Sequence, residues 1–177
     1  MLSPGENDMR HSTTTLHRAA AFALAGLLTV GLAACKKEEA ATKAAPAAVA
    51  VPTGDDANAW QAYATDVVKK NMDGVTNSPF VNYLPAESAT TFQDEYDAQL
   101  EKVKTDITRG IIEGNMLAFV SPASAKMADL VTAAFAEAEP NGMKGVKVLF
   151  IGQAADSERV KAAVSPAGVN YVFVEAK

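Results

Sequence analysis

Short β-prone runs alternating with helical stripes constrain this chain more than any other feature. Met116–Val120 is wholly apolar, and Val146–Ile151 and Val169–Val174 nearly so, the pattern of strands buried on both faces. Elsewhere apolar residues recur at steps of three and four, the repeat of one helix face. Trp60, Tyr63, Ala64, Val67, Val68 and Met72 form the first stripe, behind Asp55-Asp56 and ahead of Asp73-Gly74. Two aspartates suit a helix start, and Asp-Gly suits its end. Phe92, Tyr96, Leu100, Val103 and Ile107 form the second, from a Thr90 or Thr91 cap to Arg109-Gly110. Met127, Leu130, Val131, Ala134, Phe135 and Ala138 form the third, opened by Ser121-Pro122 and stopped by Pro140-Asn141-Gly142. Val160, Ala163 and Val164 mark a short fourth helix, capped by Asp156 or Ser157 and closed by Ser165-Pro166-Ala167-Gly168.

With Phe80–Leu84 as a further strand between prolines, the order is α, β, α, β, α, β, α, β. Strands separated by helices imply crossover connections, a mainly parallel sheet and helices on both faces. The expectation is an α/β domain, a small Rossmann-like three-layer sandwich with three to four strands. A rival arrangement leaves Phe80–Leu84 as loop in an α+β domain whose other three strands pair, because prolines favour sheet edges.

Ahead of this domain the chain changes character. Arg10 and Arg18 precede an apolar run from Ala19 to Ala34. A positive region, a short apolar region and small residues before a cut site make a secretory signal peptide. The run is shorter than the roughly 20 residues that a spanning helix needs. It ends Leu32-Ala33-Ala34-Cys35, which resembles the lipobox of bacterial lipoproteins. The resemblance covers the leader only. It implies diacylglyceryl transfer to Cys35, cleavage before it, acylation (palmitate among the chains) of the new amino end, and a membrane anchor. Lys36 follows where an Asp in such lipoproteins commonly retains the protein at the inner membrane, so the resemblance implies an outer-membrane lipoprotein facing the periplasm. Glu6 and Asp8 sit badly in a basic leader, which points to translation starting at Met9 instead of Met1. Residues 35–54 are rich in Ala and Pro with charge and no aromatic residue, the composition of a semi-extended tether. At about 3.1 Å per residue, some twenty residues reach on the order of 60 Å. The expected division is 1–34 signal peptide, 35–54 tether and 55–177 globular domain.

Composition narrows the chemistry. The only Cys is Cys35 and the two His, His11 and His17, lie in the leader. The domain itself therefore lacks the residues of Ser-His-Asp triads, Cys nucleophiles and His/Cys zinc sites. No metal or cofactor is expected. A net charge of −5 argues against nucleic-acid binding, which needs clustered Lys and Arg. Neither GxGxxG nor a P-loop pattern occurs.

Ligands of open parallel sheets sit outside the carboxyl ends of the strands. The corresponding loops here hold Pro85-Ala86-Glu87-Ser88, Ser121-Pro122-Ala123-Ser124 and Gly152-Gln153-Ala154-Ala155-Asp156-Ser157. Ser121, Ser124, Gln153 and Asp156 are the candidate ligand-binding residues. The same residue types are what ordinary helix N-caps require. Magnesium held between Asp156 and Glu87 demands that their loops be neighbours. Trp60, Tyr63, Phe80 and Tyr83 form an aromatic group suited to core packing or to a docking patch, with Tyr83 the member expected at the surface. The functional expectation is a lipid-anchored envelope lipoprotein with a non-enzymatic binding role. Its partner is an envelope protein or, by analogy with other small lipoproteins, a secreted toxin. The alternative is a small-molecule or anion binder, or a hydrolase, working from the strand-end loops.

Overall fold

The computed structural model describes residues 49–177, so the leader, Cys35 and most of the tether lie outside the described residues. Four helices and four strands follow in the expected order: α1 Ala57–Lys70, β1 Phe80–Tyr83, α2 Phe92–Arg109, β2 Met116–Val120, α3 Ser124–Phe135, β3 Lys147–Gly152, α4 Ala154–Val164 and β4 Asn170–Glu175. The strands form one sheet in the order β1-β2-β3-β4. All three pairings are parallel. β1 pairs with β2 from Phe80↔Leu117 to Tyr83↔Val120, so the segment between the prolines is a strand and the α+β arrangement does not hold.

Because each strand pairs with its successor, α2, α3 and α4 all return across the same face. Strand alternation sorts the side chains accordingly. Leu117, Phe119, Val148 and Phe150 pack with Val103 of α2, Leu130 and Val131 of α3, and Val160 and Val164 of α4. Met116, Ala118, Val120, Leu149 and Ile151 point the other way, to Trp60, Tyr63, Ala64, Val67 and Val68 of α1. The result is three layers, with three helices on one face and one on the other. Phe119 and Phe150 are fully buried, each stabilising the fold by about 2–3 kcal/mol through area removed from water. Both clusters lie within the compact unit Ala44–Lys177.

The helix ends show where local chemistry overrides the stripe. Asp56 caps α1 by accepting from the Ala59 amide at 2.9 Å. Lys147 reaches from β3 to the other end, donating to the Asn71 and Asp73 carbonyls at 2.8 and 2.6 Å. α3 starts at Ser124, after the expected Ser121-Pro122 opening. Ser121 Oγ takes the Ala123 amide at 2.9 Å, and this local turn bends the chain before the helix begins. α4 starts at Ala154 with Gln153 at the cap position, so Asp156 and Ser157 sit inside the helix and not at its cap. Ser157 Oγ pairs instead with the Tyr171 hydroxyl at 3.1 Å.

The first described residues already belong to the domain. The Val49 amide donates to Asp66 of α1 at 3.3 Å, and Trp60 Nε1 donates to the Gly54 carbonyl at 2.7 Å. Val51 packs against the α1 cluster. Residues 49–54, read from composition as tether, thus lie along α1. No helix among the described residues is long and apolar enough to cross a membrane.

Candidate functional site

The carboxyl ends of β2 and β3 bring together three of the four expected residues. β3 ends at Gly152, and a side chain there would place its Cβ 2.5 Å from Ser124 Oγ and 2.8 Å from the Phe150 ring. Only a residue without a Cβ lets the strand end approach α3 this closely. Ser124, in the first turn of α3, donates its hydroxyl to Asp156 Oδ2 at 2.7 Å. Ser124 Oγ in turn accepts the Gln153 amide at 2.8 Å. Asp156 Oδ1 accepts from Arg159 Nε at 3.1 Å and from a terminal guanidinium nitrogen at 2.8 Å. Arg159 continues to the Ala125 carbonyl at 2.6 Å and to the Asp129 carboxylate. The Asp129 contact first, and Asp156 with it, hold the guanidinium above its ordinary pKa against the opposing effect of burial.

This arrangement joins the first turns of α3 and α4 into a clasp. Ser124 is 5% exposed and Asp156 8%. The serine hydroxyl both donates and accepts inside the protein, and the aspartate has both oxygens occupied. A nucleophile needs a base free to take its proton; here the carboxylate that accepts the Ser124 proton is ion-paired with Arg159. The Gln153 side chain is exposed and takes no part in the clasp. Ser121 stands apart: besides the Ala123 amide, its buried hydroxyl reaches only the Pro85 carbonyl, at 3.5 Å. Arg159 and Asp129 complete the clasp, and neither was a candidate from sequence. The Asp156-to-Arg159 step of three was the available signal, but Asp129 lies 30 residues from its partner.

Glu87 does not meet Asp156. It lines a separate, shallow hollow of about 260 Å³ with Asp55, Ala86, Ser88, Pro122 and Ala123. Ser88 donates to Asp55 there at 3.0 Å. An anion entering would face two carboxylates, which opposes the anion-binding alternative at this spot. Among the described residues no three His, Cys, Asp or Glu side chains are grouped to hold a metal.

The aromatic group divides. Trp60 and Tyr63 are buried and meet edge to face, with centroids 6.1 Å apart. Tyr83 packs half-buried with them, and its hydroxyl is buried without a hydrogen-bond partner. Burial first, then the charges of Glu95, Asp55 and Asp56, raise its pKa. The member at the surface is Phe80, 41% exposed beside Val81 at 49%. Strand alternation explains the exchange: Tyr83 falls on the α1 side, whereas Phe80 opens the strand at the sheet edge. Val81 and Tyr83 also line a hollow of about 310 Å³ between β1 and α1, with Gln61, Ala64, Thr65 and Val120. Comparison with known proteins finds no matching family model, no matching curated protein and no matching solved structure.

Proposed function

We propose that this protein is a lipid-anchored lipoprotein of the bacterial envelope, held through Cys35 on the periplasmic face of the outer membrane, whose α/β domain binds an envelope component and does not catalyse. The observation that carries the reading is the chain's only cysteine, placed directly after Leu32-Ala33-Ala34 at the end of the apolar leader. Several acyl chains on one residue anchor stably, at about 0.8 kcal/mol per buried methylene. The binding half of the reading is supported by the clasp, which leaves Ser124 and Asp156 engaged with each other, and by the exposed apolar edge at Phe80 and Val81.

Labelling cells with radioactive palmitate tests the anchor. The label should enter the wild-type chain and not Cys35→Ala, and the latter should leave the membrane fraction. A wild-type chain without label, or a Cys35→Ala chain that still pellets with membranes, refutes it. Immobilising residues 44–177 and identifying by mass spectrometry what is retained from envelope extract tests the binding role. A catalytic activity abolished by Ser124→Ala without loss of folding would replace that role with the hydrolase alternative.

A further inference from the structure

The open edge of the sheet has a self-complementary form. Leu84 donates its amide to the Val120 carbonyl at 3.2 Å. Along a parallel strand the residues bonded to one neighbour alternate, so Phe80, Asn82 and Leu84 face β2, while Pro79, Val81, Tyr83 and Pro85 face outward. Both prolines thus occupy outward positions, where a missing N–H costs the β1–β2 ladder nothing. Among the described residues β1 is an end strand of the sheet, and there the N–H and C=O groups of Val81 and Tyr83 have no strand beside them. Phe-Val-Asn-Tyr carries no charge, the usual guard of an exposed edge.

α2 lies beside this edge and carries a matching charge order. Gln99 donates to Asn82 Oδ1 at 2.7 Å, Arg109 and Asp106 share a hollow with Phe80, and Glu95 acts on the Tyr83 hydroxyl. The helix therefore runs antiparallel to β1, with Glu95 towards the Tyr83 end of the strand and Arg109 towards the Phe80 end. Glu95, Gln99, Lys102, Asp106 and Arg109 fall at steps of four, three, four and three, on one ridge. Arg109 has no ion pair among the described residues.

We propose that two copies of this chain pair through antiparallel β1 edges about a two-fold axis at Val81, joining their sheets. In that register Val81 N–H meets the carbonyl of Val81 in the second copy, and Tyr83 N–H meets that of Pro79. Every outward N–H of β1 is then satisfied, and each Pro79 supplies only the acceptor that is needed. The same axis reverses the α2 ridge onto its copy, setting Glu95 against the unpaired Arg109. An isologous contact of this kind closes as a dimer and cannot extend into a fibre. The inference is independent of lipidation.

Sedimentation of the unit from Ala44 onward, which holds both apolar clusters whole, tests it. We expect a concentration-dependent dimer. Val81→Pro removes one outward donor without touching the β1–β2 ladder, and should give a monomer. Should that variant not fold, Val81→Lys, at a half-exposed position, must give the same result. Glu95→Arg or Arg109→Glu should weaken the dimer roughly tenfold or more, and the two together should restore it. A wild-type monomer at sub-millimolar concentration overturns the proposal. So does a dimer indifferent to Val81→Lys, or charge reversals that the double exchange fails to rescue.

Discussion

At the scale of single residues, the tightest requirements gather where β3 meets α3. Gly152→Ala would drive a methyl carbon into Ser124 Oγ and the Phe150 ring, an overpacking that typically costs about 1–3 kcal/mol. A melting curve should show the loss. Ser124→Ala leaves the Gln153 amide and Asp156 each short of a partner, and unmet buried groups cost about 1–3 kcal/mol. If the clasp is structural, the two substitutions share one mechanism. Their combined cost should then fall short of the sum, because the alanine at 124 removes the oxygen that the alanine at 152 strikes. The sequence made Ser124 and Asp156 candidates by residue type and loop position alone. It could not reveal that they bond each other, since the contact spans 32 residues and depends on the sheet bringing two helix starts together.

Among the elements, α1 is held differently from the other helices. Among the described helices it alone covers its face of the sheet, and it is fastened from outside by Lys147 at its end and by residues 49–54 along its length. Lys147→Met should expose the terminal carbonyls of α1 and destabilise the fold by about 1.5–3 kcal/mol, the range for hydrogen bonds to a charged donor. Amide exchange should rise first at the end of α1. The Val49 fastening is sensitive to acid. The Lys70 ammonium, 2.6 Å away, lowers the pKa of Asp66, and the Val49 amide adds to this. A carboxyl with a depressed folded pKa contributes stability above its ordinary value and loses it as pH falls through the depressed one. Exchange at Val49 should therefore accelerate only below the usual carboxylate range, and Asp66→Asn should remove the transition. The helices and strands themselves were legible because burial imposes its period on the residues: the β2 run Met116–Val120 coincides with the strand to the residue. Helix starts were less so. Ser121 looked like the beginning of α3, but its hydroxyl closes a turn of its own. Likewise Val51 gave no sign of its place on α1, because two valines among alanines and prolines have no period to read.

Considered whole, the molecule is limited by alkali more than by any titration near neutrality, for the domain holds no histidine. Burial raises the pKa of all four tyrosines, Tyr63, Tyr83, Tyr96 and Tyr171, above 10.0. A group whose folded pKa is raised gives its full stabilisation below the unfolded value and loses it as pH climbs through the folded one. Ultraviolet titration should show phenolate appearing later than in the unfolded chain, and unfolding should accompany it above pH 10. Phe119→Ala, in the layer between the sheet and α2–α4, should cost about 3–5 kcal/mol and lower the onset of that alkaline transition. The fastening of Val49 to α1 also sets a length. If Cys35 bears acyl groups, as proposed, residues 36–48 are all that the sequence places between it and the Val49 fastening. Thirteen residues can span at most roughly 40 Å at about 3.1 Å per residue. A partner bound as proposed would then have to come within that distance of the lipid headgroups, a shallow shell against the membrane beyond which distant targets stay out of reach.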